Sequence, residues 1–364
     1  MLKKINIKRV SSLVQQTLII TLITFFLSEI TLRIYNKINP SFIFVDKTYT
    51  RFRPKPHALD YGSFQLNSLG FKDLEFNLNK APNTFRIVAI GDSFAYGVVP
   101  YQYNFFTVLE DNLNQNKPQN KREVYNMGIP GTGPVDYFSL LINEGLRYKP
   151  DMVIVSFFLG NDFSDNRNYY AQGIPWYSHS YVTSLIKFMI DLAIKYKGNP
   201  YDVANTANMK YEDNMTVFAD DTYLNIEKDR SYIFPNPASQ QFIQDFDDAF
   251  SYLIKIKEIC DSRKIKFLVV LIPDEMQVNL ALQEKVLKAI QKTPQEIDFT
   301  LPNKLLAQKF KQNNIDYLDV LPLFAEEFPK KPLYRNNDSH WNIAGNKLAA
   351  ELIQKHITNQ LPKK

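Results

Sequence analysis

Four short apolar runs, spaced so that a helix fits between neighbours, constrain the fold of this chain more than any other feature. Residues 86–91 (RIVAIG), 124–127, 152–158 (MVIVSFF) and 267–272 (FLVVLI) are rich in apolar, often β-branched residues. The longest run shows none of the alternation of a half-exposed strand, as a strand covered on both faces should. Between the runs the apolar spacing turns helical. Phe105, Phe106, Leu109 and Leu113 mark one helix, and Pro134 opens another, followed by Val135, Phe138, Leu141 and Gly145. Phe242, Phe246, Ala249, Leu253, Ile256 and Cys260 mark a third. Residues 316–320 offer a fifth strand and 343–353 a closing helix. Strands alternating with helices predict a doubly wound α/β domain. In such sheets ligands collect beyond the carboxyl ends of the strands.

Charge sits at one end of the chain. The formal net charge is +5, and residues 1–40 supply all of it, with Lys3, Lys4, Lys8, Arg9, Arg33 and Lys37 against Glu29 alone. The rest is balanced, so there is no basic footprint for phosphate backbones and no nucleic-acid partner is expected. The single cysteine, Cys260, excludes an intrachain disulfide and a cysteine-cluster metal site. Its place on the helical series makes it a small buried apolar residue. No repeat or low-complexity tract is present, and no cofactor or metal is expected.

Residues 10–28 carry no charge. As a helix they would reach roughly 28 Å, about one hydrocarbon core. Four cations precede them, which holds the N-terminus in the cytoplasm and sends the rest across. No small-x-small cleavage site follows, so an uncleaved single-pass anchor is expected over a removed signal peptide. A buried helix of the soluble domain fits poorly with the clustered lysines.

The chemistry-bearing residues fall at the strand ends. The first run closes on Gly91-Asp92-Ser93-Phe94, the second on Asn126-Met-Gly128-Ile-Pro-Gly131, the third on Gly160-Asn161-Asp162, and Asp338-Ser-His340 precedes the last helix. A serine at a tight turn exposes its hydroxyl but needs a base within hydrogen-bond reach. Of the four histidines, His57 lies in a linker, His179 in an excursion and His356 near the tail. Only His340 has a carboxylate two residues away and leads a core helix. Oxyanion charge needs neutral, preorganised donors, for which Gly131 and Asn161 are the candidates, with the Ser93 N–H a possible third. Asp92 and Asp162 are tempting as a carboxylate pair or metal site but sit in turns, where such side chains bond local amides. They are read as structural.

Together these blocks resemble the SGNH (GDSL) hydrolase family over roughly residues 85–162 and 265–355. The resemblance implies a flavodoxin-like sheet, Ser93 as nucleophile, Gly131 and Asn161 as oxyanion hole, and His340 as base. The spacing from Asn126 to Gly131 matches the family and favours Gly131 over Gly128. Residues 66–73 (LNSLGFKD) and the Glu29…Arg33 pair resemble features of bacterial membrane-anchored members. One departure stands out. The family places its Asp three residues before the His, where this chain has Asn337. Asp338, two before, is similar to the Asp-x-His of alginate-type polysaccharide O-acetyltransferases, in which that pair precedes the serine. Asp338 is expected to orient His340, with Asn337 the alternative.

The expected organisation is an anchor over residues 1–37, a linker or extension over 38–84, and the hydrolase domain over 85–364. A cap-like insertion occupies about 163–235, with Trp176, Tyr169, Tyr170 and Tyr177 near its start. The insertion is expected to overhang the site, its aromatics stacking on sugar rings or packing a small subdomain, and its helical stripe Val182, Leu185, Met189 and Ala193 offers a third reading, a face lying on the membrane. The functional expectation is a serine esterase on an O-acyl ester of a cell-surface or exported glycan, acting outside the cytoplasm. The alternatives are an O-acyltransferase on an exported polysaccharide and an inactive anchored glycan-binding module. A phosphate-binding reading lacks the Lys-Ser/Thr of a P-loop.

Overall fold

The computed structural model describes residues 7–38, 52–115, 121–171, 179–193 and 210–361, which fall into two compact units. The larger comprises Lys47–Gln172 and Gly198–Lys364; the smaller comprises Met1–Asp46 and Gly173–Lys197.

The larger unit is built on five strands: β1 (Thr84–Gly91), β2 (Lys121–Gly128), β3 (Met152–Phe158), β4 (Lys266–Ile272) and β5 (Asp316–Asp319). All are parallel, in the order β2-β1-β3-β4-β5. This is the doubly wound arrangement expected, with the chain reversing direction across the sheet at β1. Side chains alternate between two apolar layers. Val88, Ile90, Val153, Val155, Val269 and Leu271 face one, with residues of α4 (Pro134–Asn143), α8 (Gln240–Ser262) and α10 (Leu301–Gln312). Ile87, Ala89, Ile154, Leu268 and Val270 face the other, with residues of α3 (Phe105–Asn114) and α12 (Ile343–Thr358). Each such side chain contributes on the order of 1.5–3 kcal/mol by leaving water, which is why the central strands are apolar on both faces.

β1 begins two residues before its apolar run, at Thr84, and β2 three before, at Lys121. The polar residues at these ends are paired: Arg86 stands opposite Glu123 in the register and donates to it at 2.8 Å, and to the Tyr148 carbonyl at 2.7 Å. α4 ends at Asn143, so Gly145, expected on its face, instead opens the 3-10 turn Gly145–Tyr148.

Residues 52–84, expected as a linker or extension, are part of the larger unit. Phe71 is fully buried, and Asn67 accepts from the Leu69 and Phe71 amides at 3.0 Å each. Lys72 is buried in an ion pair with Asp60 and donates to the Gly97 and Val99 carbonyls at 2.8 and 2.6 Å. Asp73 accepts from the Asn126 amide at 2.8 Å.

The insertion is divided between the units. α5 (Asp162–Ala171) and α7 (Asp220–Arg230) belong to the larger, α6 (Tyr181–Ala193) to the smaller. Trp176 and Tyr177 lie outside the described residues, as do the side chains of Tyr169 and Tyr170. The smaller unit holds α1 (Ile7–Ile38), in which Ser11–Asn36 is long and apolar enough to cross a membrane.

Candidate active site

The first functional side chain is placed by a strand that stops abruptly. Beyond Gly91, Asp92 caps the short helix α2 (Ser93–Tyr96) by accepting from the Phe94 amide at 2.9 Å. Ser93 therefore stands at the carboxyl end of β1, between β2 and β3, where the sheet's winding reverses. Gly128 lets β2 approach this turn, since a Cβ there would collide with the Ala95 and Tyr96 backbone. Asn126 fastens the two: its Nδ2 donates to the Ala95 carbonyl at 2.7 Å, and its Oδ1 accepts from the Gly128 amide at 2.9 Å. The Asn126 and Ser93 blocks are thus one structural piece.

His340 arrives from the other end of the chain on a hairpin, Tyr334–Arg335 paired with Asp338–Trp341. Its Nε2 lies 2.7 Å from Ser93 Oγ and its Nδ1 lies 2.6 Å from Asp338 Oδ1. The Asp-x-His spacing works because these residues are in a strand, where i and i+2 share a face. Asp338 also accepts from the His340 amide at 3.2 Å and from Arg335 at 3.1 Å. Burial alone would raise its pKa, but the His340 ring and the Arg335 guanidinium hold the carboxyl below its ordinary value. Asn337 has left-handed backbone, φ 49°, and turns away, donating to the Phe218 carbonyl at 3.0 Å and to Asp220 at 2.6 Å.

A strap from the end of the insertion grips this hairpin on both sides. The amides of Val217 and Phe218 donate to the carbonyls of Asn336 and Asn337 at 3.1 and 3.4 Å. Asp213 accepts from the Ile343 amide at 3.2 Å. Arg230, at the end of α7, donates at 2.5 Å to Ser339 Oγ, the residue between Asp338 and His340. Arg230 in turn meets the buried carboxylates of Glu227 and Asp274 at 3.1 and 3.5 Å. Sequence reasoning missed Arg230 and Arg335. Arg230 lies on a polar helix with no periodic signal, 109 residues from its partner. Arg335 was open to notice three residues before Asp338, but only the hairpin gives that spacing meaning.

Gly131 and Asn161 stand beyond the ends of β2 and β3. Gly131 has φ 74°, and a Cβ there would meet only Phe52 at 3.7 Å, so backbone conformation rather than crowding calls for glycine. The Asn161 carbonyl accepts from the Ser164 and Asp165 amides at 2.8 and 2.9 Å and opens α5, while its Oδ1 is buried with no hydrogen-bond partner among the described residues. Asp92 and Asp162 bond locally, as read from the sequence. Asp162 accepts from the Phe158 amide at 2.9 Å and from the Tyr137 hydroxyl at 2.7 Å, and burial raises the pKa of both carboxyls. Among the described residues no cluster of His, Cys, Asp and Glu is arranged to hold a metal. His356 bonds Asp316 at 2.9 Å near the end of α12.

A family model described as an SGNH hydrolase-like domain, acetyltransferase AlgX, matches residues 240–364, a stretch that includes Asp338 and His340. The Gly-Asp-Ser block lies outside that stretch, and the fold brings the two together at hydrogen-bond distance. Residues 240–364 of the chain are thus similar to an SGNH hydrolase-like domain. Solved structures similar to this chain include an acetyl xylan esterase, AlAXEase, at 13% identity and TM-score 0.43, covering 75% of this chain and 100% of that one. A lipase/acylhydrolase from Enterococcus faecalis is 13% identical with TM-score 0.38, covering 77% and 98%. A GDSL-like lipase from Bacteroides thetaiotaomicron is 13% identical with TM-score 0.39, covering 79% and 93%. Likenesses of this size carry no functional argument. No curated protein matched the sequence.

Proposed function

We propose that this protein is a serine esterase, anchored by α1 with its larger unit outside the cytoplasm, that removes an O-acyl group from a cell-surface or exported glycan. The observation that carries the reading is the unbroken line of hydrogen bonds Ser93–His340–Asp338, at 2.7 and 2.6 Å. In this reading Asp338 accepts the Nδ1 proton and so leaves Nε2 free to take the proton of Ser93 Oγ. Ser93 attacks the ester carbonyl, His340 passes the proton to the departing sugar oxygen, and an acyl-Ser93 remains. The Gly131 N–H, the Asn161 amide and the Ser93 N–H receive the oxyanion, each donor worth about a hundredfold or more in rate. Water activated by His340 then releases the acid.

A second reading has support of its own. The matching family model is named for an acetyltransferase, and it spans the segment that bears Asp338 and His340. In that case a glycan hydroxyl replaces water at the same acyl-enzyme. The test is to supply an acetyl ester with and without oligosaccharide and follow free acetate and acetylated sugar together. Acetate release indifferent to sugar supports the esterase; acetylated sugar formed at the expense of acetate supports transfer. An inactive glycan-binding module predicts no covalent labelling by a fluorophosphonate in wild type, whereas the enzyme predicts labelling that Ser93→Ala abolishes.

A further inference from the structure

The smaller unit contains an arrangement that the catalytic reading does not use. α6 begins against the far end of α1, and its N-terminus is closed by a residue of α1. Glu29 accepts from Ser180 Oγ at 2.8 Å and from the Tyr181 and Val182 amides at 3.1 and 3.0 Å. Arg33 donates to Glu29 at 2.7 Å and to the His179 carbonyl at 3.1 Å, and its guanidinium lies 4.7 Å from the centre of the Tyr181 ring. Asn36 donates to the Tyr181 hydroxyl at 3.2 Å. The first-turn amides of a helix have no intrahelical acceptor. In water solvent serves them, but in hydrocarbon every such group needs a protein partner, and here Glu29 is that partner. A charged pair within an apolar span is costly unless matched, and this pair is matched to α6.

The outward face of α6 has the opposite character. Ser184 is buried, whereas Ile186, Met189 and Ile190 are 51%, 62% and 50% exposed, a helical stripe of large apolar side chains. Their exposure is close to that of Phe26, Leu27, Ile30 and Ile34 on α1, at 62%, 60%, 55% and 56%. Two joined helices with the same apolar outer surface share one solvent.

We propose that α6 is a second membrane element, its Ile186–Met189–Ile190 stripe seated in lipid at the boundary of the leaflet where α1 emerges. The occupant is acyl chain, because the stripe continues the apolar surface of a helix long enough to span. The chain thus returns to the bilayer between two parts of its hydrolase unit. The proposal rests on the reading of α1 as a membrane span, and the test separates the two.

The full-length protein is placed in phosphatidylethanolamine/phosphatidylglycerol vesicles, some carrying nitroxide on the acyl chains. A Cys260→Ser background removes the native thiol, and single cysteines at Ile20, Met189 and Lys285 carry an environment-sensitive fluorophore. We expect lipid nitroxide to quench the probes at positions 20 and 189 at least about twofold more than the one at 285. Quenching at 20 without quenching at 189 overturns the proposal and leaves the anchor standing. A blue-shifted but unquenched probe at 189 also overturns it and points to a second copy of the chain. No quenching at 20 removes the anchor and the proposal with it. Glu29→Gln should reduce quenching at 189 while leaving 20 unchanged; unaltered quenching at 189 refutes the role given to Glu29.

Discussion

Replacing Asp338 by asparagine is the sharpest perturbation of the site, because its two neighbouring candidates make opposite predictions. The Asp338 side chain lies 2.6 Å from Nδ1 of His340 and accepts from a backbone amide at 3.2 Å and from Arg335 at 3.1 Å, all while almost fully buried. An amide at this place can offer its N–H to Nδ1, which moves the ring proton to Nε2 and blocks acceptance from Ser93. Loss of the correct tautomer in a Ser-His-Asp site costs about ten-thousandfold in kcat, or roughly 5 kcal/mol of barrier. KM should hardly move, because the ground-state ester does not touch this group. Arg335 is left buried without its countercharge, and breaking a buried pair costs on the order of 3–5 kcal/mol of stability, so the melting temperature should fall as well. Asn337→Ala removes the bonds to Phe218 and Asp220 and puts alanine in left-handed backbone, a strain of about 1–2 kcal/mol. Lost hydrogen bonds of that kind cost about 1 kcal/mol each, with activity within about tenfold of wild type. The assay is hydrolysis of a short-chain chromogenic ester at a temperature where both variants are folded by circular dichroism. Asp338→Asn retaining a tenth of wild-type kcat, or Asn337→Ala losing more than Asp338→Asn, would refute the assignment.

Ser93→Ala should lose at least about a thousandfold in rate while staying folded, and adding His340→Ala should cost little more, since the two act as one unit; additive losses in the ester assay would disprove the coupling. Arg230→Met should lower kcat with KM unchanged, because Arg230 holds Ser339 between Asp338 and His340; a change confined to melting temperature would make it merely structural. Burial raises the Asp73 carboxyl to about 7 from an ordinary 3.8. The folded state then binds the proton more tightly than the unfolded one, so this group's contribution to stability falls as pH rises from about 4 to 7. Asp73→Asn should flatten that part of a melting-temperature profile, and an unchanged slope would exclude it.

The sheet and Ser93 were legible because they rest on local signals. A strand buried on both faces must be apolar throughout, and a serine behind such a strand and a glycine marks itself. The boundaries were less legible where buried charge replaced apolar residues, as at Glu123, whose pairing with Arg86 exists only once β1 and β2 lie side by side. Residues 52–84 read as an extension because their anchors are polar. Lys72 is fully buried only because Asp60 and two carbonyls receive it, and none of those partners is near in sequence except through the fold.

The spacing before His340 shows the same limit from the other side. Asp-x-His departs from the family's Asp-x-x-His, and from sequence that left Asn337 open as the orienting group. The ambiguity is one of conformation. Three-residue spacing suits a turn, whereas two-residue spacing suits an extended strand, in which alternate side chains project together. Asn337, with φ 49°, ends the turn, and Asp338 begins the strand that carries His340. Arg335 closes the far side of the hairpin on the same carboxylate at 3.1 Å. In this extended backbone Asp338 projects beside the imidazole two residues on, at 2.6 Å, while Asn337 bonds the strap at Phe218 and Asp220. The insertion thereby holds the hairpin through Asn336, Asn337, Ser339 and Ile343, the residues on either side of Asp338 and His340.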